Sequence, residues 1–233
     1  MSSEAIPHAW LKNLIPFKVI VLDLDGPLLE GMYRHYQCYS DVLTEHGFVP
    51  IPMTQYWEMK RNRVDRRHLL ALSNAGDLYD AFLAKWLQRI ETKKYLALDR
   101  LQTGAVDILQ DWQKNGKRLL LATMRNDSSN LHWQLSELGI DHFFDEVIVV
   151  GSGQAGVNKS VEVKPLLNNV SLEEIIWVGD TEVDIHAARA LGVKVCALTC
   201  GTRSKEYLAS LSPYLLEIDL NSFAVAEFGK YDQ

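Results

Sequence analysis

Val19-Ile20-Val21-Leu22-Asp23-Leu24-Asp25-Gly26-Pro27 is the stretch on which the reading of this chain turns. Four aliphatic residues without alternation read as a strand buried on both faces, the kind found in a parallel sheet covered by helices. The strand ends in two carboxylates two positions apart, which leave it on the same side, and Gly26 then lets the backbone approach a ligand closely. Taken alone, the segment reads equally well as a loop with two helix-capping aspartates.

Similar runs recur along the chain: Leu119-Leu120-Leu121-Ala122, Val147-Ile148-Val149-Val150, Ile175-Ile176-Trp177-Val178, Val193-Lys194-Val195-Cys196-Ala197-Leu198 and, more weakly, Tyr214-Leu215-Leu216-Glu217-Ile218. Helical patterns lie between them. Residues 105–115 place Val106, Leu109 and Trp112 near one face and stop at Gly116; Asp127 or Ser128 opens a helix that stops at Gly139; residues 184–191 form a third, ended by Gly192. The alternation predicts an α/β fold, a doubly wound and mostly parallel sheet. Residues 33–98 break it. They contain no strand-like run and read as helices over 33–46, 55–72 and 78–90. Crossovers in such sheets are far shorter, so the expectation is a smaller all-helical cap over 31–98 on an α/β core of 1–30 and 99–233.

Ligands of open α/β sheets bind beyond the carboxyl ends of the strands. Asp23-Leu24-Asp25 stands at one such end. Thr123-Met124-Arg125-Asn126 stands at a second, where Asp127-Ser128 opens a helix whose free N–H groups favour anions. Gly179-Asp180-Thr181-Glu182-Val183-Asp184 stands at a third. Each alone has a plain structural explanation: a common strand-end threonine, a capped helix. Together they crowd carboxylates that repel one another unless a cation compensates them. With few histidines and no suitable cysteine nearby, the cation is a hard one, Mg2+ by default.

In these segments the chain resembles the haloacid dehalogenase superfamily, and in particular its phosphoglycolate-phosphatase-like members. Asp23-Leu24-Asp25-Gly26 matches the first family motif, residues 119–123 the second, and Gly179 to Asp184 the fourth; the helical insert after the first motif resembles one type of family cap. The resemblance implies a phosphatase acting on a small phosphate monoester. Asp23 is then the nucleophile and Asp25 the general acid and base. Mg2+ is held by the Asp23 carboxylate, the Asp25 carbonyl and the Asp180 carboxylate. Thr123, with backbone N–H groups at Gly26 and Met124, binds phosphoryl oxygens, and Asp184 orients the third-motif lysine or a metal-bound water. Two lysines fit that motif. Lys164-Pro165 reproduces a Lys-Pro pair common in the family, and Pro165 suits a first helical turn. Spacing favours Lys159, at the start of the helix that follows the loop 152–156, although Pro165 would then interrupt that helix. Pro27 departs from the family, which usually has threonine or valine there.

The insert carries Lys60, Arg61, Arg63, Arg66, Arg67 and His68. A solvated helix face is their plainer reading; the functional one is that one or two meet an anionic part of the substrate. Arg125 and Asn126 are further candidates for that contact. Asp25 argues against a dehalogenase or a phosphonate hydrolase of the superfamily, which lack that second carboxylate. A phosphosugar mutase keeps every motif, and Pro27 with the ambiguous lysine is the only support for a non-catalytic protein on this scaffold.

A net charge of −6 gives no electrostatic footprint for nucleic acid, and 47% hydrophobic with 23% charged residues is ordinary for a soluble protein. Three cysteines, Cys38, Cys196 and Cys200, are too few and too widely spaced for a disulfide framework. Residues 1–16 do not resemble a signal peptide, and no run of about 18 apolar residues is present. The expectations are a cytoplasmic location, no membrane or nucleic-acid partner, and a monomer or homodimer.

Overall fold

The computed structural model describes residues 17–151 and 157–228. Residues 1–16, and the loop 152–156 used in the lysine spacing, lie outside the described residues.

Six strands, β1 (Val19–Leu22), β4 (Arg118–Thr123), β5 (Glu146–Val149), β6 (Ile175–Gly179), β7 (Lys194–Leu198) and β8 (Leu215–Glu217), form one sheet in the order β5-β4-β1-β6-β7-β8. Every pairing is parallel. The continuous apolar runs are explained by two apolar layers. Ile20 and Leu22 face one layer with Leu109, Trp112, Leu135 and Phe223, while Val19 and Val21 face the other with Ile185, Ala188 and Leu208. The helices supplying those layers are α6 (Ala105–Lys114), α7 (Ser128–Glu137) and α11 (Leu220–Phe228) on one side, with α8 (Val157–Val163), α9 (Glu182–Leu191) and α10 (Lys205–Ser210) on the other. This is the doubly wound α/β architecture expected from the sequence. Among the described residues no helix is long and apolar enough to cross a membrane.

The helical insert stands on a two-stranded antiparallel ribbon, β2 (Leu29–Glu30) and β3 (Arg100–Leu101), too short to leave a period-two signal. Between the two lie α1 (Met32–Glu45), α2 (Met53–Arg61), α3 (Arg66–Ala71), α4 (Tyr79–Arg89) and α5 (Lys93–Leu96). They enclose their own apolar cluster around Tyr39, Val42, Leu43, Leu70 and Phe82. The single helix expected over 55–72 is two helices. Arg63 adopts φ 56°, the Val64 N–H returns to the Met59 carbonyl, and Asp65 caps α3 by accepting from the Arg67 N–H. Helix α9 begins two residues earlier than expected. Thr181 is its N-cap and Asp184 its third residue, the two closing a reciprocal capping box.

Candidate active site

Strands β1 and β6 are neighbours in register, Leu22 opposite Val178, and the Asp23 N–H donates to the Val178 carbonyl at 2.9 Å. The carboxylates that follow the two strands therefore emerge side by side. Oxygens of Asp23, Asp180 and Asp184 all lie within 4.8 Å of one another, and all three residues are buried. Lys159 Nζ sits among them, 2.9 Å from Asp23 Oδ1 and 2.8 Å from Asp184 Oδ1, with 1% of its side chain exposed. Lys164 is exposed, in a 3-10 turn (Lys164–Leu167) with Pro165 in its first turn. Helix α8 ends at Val163, so the proline opens the next turn rather than breaking the helix that carries Lys159.

The electrostatics follow from three carboxylates against one ammonium. Burial opposes the charge on Lys159, but Asp184 and Asp23 outweigh it and raise the lysine above its ordinary range. Burial raises Asp23 well above the usual carboxylate range; Lys159 works against that, and Asp184, Asp180 and Asp25 add to it. Asp180 is pushed up to about 7 by burial and by Asp184, against hydrogen bonds from Thr202. The cluster is thus short of positive charge.

The individual oxygens sort the roles further. Asp184 is fully engaged: Oδ1 accepts from Lys159 and from Trp177 Nε1 at 3.2 Å, and Oδ2 from the Thr181 N–H and hydroxyl at 3.2 and 2.7 Å. Asp180 Oδ2 accepts from the Thr202 N–H and hydroxyl at 2.5 and 2.7 Å. Its Oδ1 is buried and has no hydrogen-bond partner among the described residues. An orphaned buried carboxylate oxygen beside the Asp23 carboxylate, with hard oxygen donors throughout, fits a hard divalent cation. Gly26 makes the close approach possible: its φ is +96°, and a Cβ there would stand 2.3 Å from Asp180 Cγ.

Asp25 turns away from this cluster. Its Oδ1 accepts from Arg34 Nη2 at 2.5 Å and from Arg125 Nη2 at 3.0 Å. Arg34 Nε also lies 3.0 Å from Asp99 Oδ1, and Asp99 Oδ2 accepts from Gln134 Nε2 at 2.8 Å. Arg34 opens the insert and Asp99 closes it, so both ends of the insert meet at Asp25. Pro27 lies in the turn after Asp25, where the Gly26, Leu28 and Leu29 N–H groups carry the backbone hydrogen bonds and a donor at 27 is not required.

Thr123, at the end of β4 next to β1, is 1% exposed, and Met124 is half-buried. Arg125 is buried against Asp25 rather than open to a ligand. Asn126 lies on Glu91 of the insert: its N–H and that of Asp127 donate to Glu91 Oε2 at 2.7 and 2.9 Å, and its amide to Oε1 at 3.1 Å. The anion at the N-terminus of α7 is therefore supplied by the insert. Sequence reasoning missed Arg34, Asp99, Glu91 and Thr202. Thr202 had a weak signal, because it lies in the loop after β7, four residues past the strand end and next to β6 in the sheet; the others had none. Beside Asp25 opens a cavity of about 260 Å3 lined by Gly26, His35, Trp57, Gln102 and Thr202.

A parallel sheet carrying a buried aspartate cluster and a lysine at its carboxyl edge, under a helical insert after the first strand, defines a class of α/β hydrolytic enzymes. The model of the haloacid dehalogenase-like hydrolase family matches residues 17–192, and the chain belongs to that family. It is 26% identical over 211 residues to phosphoglycolate phosphatase 1 of Pseudomonas aeruginosa, covering 85% of this chain and 75% of that one. It is 26% identical over 191 residues to the phosphoglycolate phosphatase of Cereibacter sphaeroides, covering 79% and 86%. Among solved structures, a haloacid dehalogenase-like family hydrolase from Streptococcus pneumoniae superposes with a TM-score of 0.68 at 21% identity, over 89% of this chain and 97% of that one; at that identity it speaks for the fold alone.

Proposed function

We propose that this chain is a Mg2+-dependent phosphatase that hydrolyses a small phosphate monoester through an aspartyl-phosphate. The observation that carries the reading is the Lys159 ammonium held between Asp23 and Asp184 beside the orphaned Asp180 oxygen, at the edge where β1 and β6 end. The named activity of relatives that match most of this chain supports the same reading.

Asp23 is the nucleophile. A carboxylate oxygen attacks phosphorus, the bond to the leaving oxygen breaks, and Asp25 gives that oxygen its proton. Asp25 then takes a proton from a water, which attacks the same phosphorus and releases Asp23 and inorganic phosphate. Lys159 fixes the orientation of Asp23 through Oδ1, and Asp184 fixes Lys159 in turn. Thr123, with the backbone N–H of Met124, holds the phosphoryl oxygens by electrostatic positioning; the Gly26 N–H expected to join them is instead taken by the Leu29 carbonyl at 2.9 Å. The Asp23 and Asp180 carboxylates and the Asp25 carbonyl hold Mg2+, which supplies charge compensation between the nucleophile and the phosphoryl group. The insert over 31–98 acts as a cap that excludes water from the site.

The test is phosphate release from p-nitrophenyl phosphate with Mg2+. Asp23→Asn is expected to abolish it with the fold intact by circular dichroism. Asp25→Asn is expected to slow it by about 10²–10⁴. Activity of Asp23→Asn within about tenfold of wild type is incompatible with a covalent mechanism at this residue.

A further inference from the structure

Arg61, the last residue of α2, joins the insert to the core far from the β2-β3 ribbon on which the insert stands. Its Nη2 donates to the Thr199 carbonyl at 2.6 Å and to the Arg203 carbonyl at 3.4 Å, and its own carbonyl accepts from the Ser204 N–H at 3.0 Å. Residues 199–204 are the connection between β7, which ends at Leu198, and α10, whose N-cap is Ser204. One residue of the insert therefore brackets both ends of a core loop.

That loop holds Asp180. The Thr202 N–H and hydroxyl donate to Asp180 Oδ2 at 2.5 and 2.7 Å, and Gly201 lies flush on the same carboxylate: a Cβ there would stand 2.1 Å from Oδ2. With Oδ2 tied, the orientation of the planar carboxylate is set, and Oδ1 is the oxygen left for a cation. A second tie reaches the chain just after Asp180. Glu182, the first residue of α9, is held bidentately by Arg203 at 2.6 and 3.0 Å, and Arg63 Nε of the insert lies 3.5 Å from it. Arg63 also donates to the Tyr207 hydroxyl on α10. On its other side the insert meets the core through Glu91, which accepts from Asn126 and Asp127 after β4. Resting on the cation site of the phosphatase reading, we propose that Arg61 is a positioning residue for Asp180: docking of the α2 end on the loop 199–204 sets the oxygen that receives Mg2+. Undocking Arg61 frees the loop at both ends, and with it Thr202 and the orientation of the Asp180 carboxylate. Docking of the insert and affinity for the cation are then coupled, and each strengthens the other by the same factor.

The experiment is calorimetric titration of Mg2+, without substrate, into the wild-type protein, Arg61→Met, Arg61→Lys and Glu91→Gln, with the melting temperature of each measured alongside. Arg61→Met removes both side-chain hydrogen bonds to the loop and is expected to raise the Mg2+ Kd by about tenfold, the lower end of what losing a partner of a metal ligand costs. Arg61→Lys, which can still reach one carbonyl, is expected to recover part of that loss. Glu91→Gln loosens the insert on its other side and is expected to keep the wild-type Kd. Amide exchange of the wild-type protein reads the coupling from the opposite direction and needs no variant to fold: Mg2+ is expected to slow exchange across residues 59–64 of the insert. A wild-type Kd in Arg61→Met, with or without a lower melting temperature, would overturn the proposal, because Asp180 is then oriented without the insert. An equal loss in Glu91→Gln would overturn it as general loosening, and so would exchange across 59–64 that Mg2+ leaves unchanged. Those results would leave the phosphatase reading standing; a wild-type protein that binds no Mg2+ would remove the cation site, and this assignment with it.

Discussion

Arg34, in the first turn of the insert, places its Nη2 2.5 Å from Asp25 Oδ1 at the end of the central strand. The same guanidinium lies 3.0 Å from Asp99, where the chain leaves the insert, and both Arg34 and Asp99 have 1% or less of their side chains exposed. The proposed general acid is thus positioned by a side chain of the insert, and the ion pair also ties the two ends of the insert together. Removing one member of a buried pair leaves the other charged and unpaired, at about 3–5 kcal/mol. Arg34→Met is expected to lower stability by that order in urea denaturation. It is also expected to reduce kcat more than KM on phenyl phosphate. Unchanged stability would show that Asp99 is compensated by Arg125 and Gln134 alone.

The two lysines separate cleanly. Lys159→Ala removes the ammonium bonded to both Asp23 and Asp184, and turnover is expected to fall by about 10²–10³, the scale of losing one electrostatic stabiliser. Lys164→Ala changes an exposed side chain and is expected to leave turnover at the wild-type level. The opposite pattern would mean that the Lys-Pro pair is the better guide to the catalytic lysine.

Metal dependence has a readout apart from activity. Mg2+ bound only by the folded chain raises the melting temperature by mass action. EDTA is expected to remove activity and to lower the melting temperature, with Mg2+ restoring both. Asp180→Asn should abolish the Mg2+-induced thermal shift, because the oxygen without a partner belongs to that residue. Asp184→Asn should retain most of it, because both Asp184 oxygens are already engaged by Lys159, Trp177 and Thr181. Equal loss in the two variants would place the cation differently.

The six strands, their cover of helices and the position of the acidic residues at strand ends were legible because each rests on local pattern; the order of the strands in the sheet was not. A four-residue run such as Ile175-Ile176-Trp177-Val178 has to be covered on both faces, and a carboxylate directly after it has to stand at the sheet edge. The break between α2 and α3 was less legible. Its capping residue Asp65 is visible in the sequence, but the left-handed backbone of Arg63 is not. Arg125 and Asn126 read as ligand contacts because they follow Thr123, and the structure instead seats them on Asp25 and Glu91.

The sequence by itself determined an α/β sheet with Asp23, Thr123, Asp180 and Asp184 at its carboxyl edge, because period, strand ends and helix stops are properties of neighbouring residues. Tertiary structure alone decided that Arg34 and Asp99 clamp Asp25, and it brought Lys159, which the spacing had favoured, rather than Lys164 into the acidic cluster. Those pairings join residues from 9 to more than 60 positions apart. Which charge meets which is settled by how the insert packs on the sheet, and no local pattern carries that information.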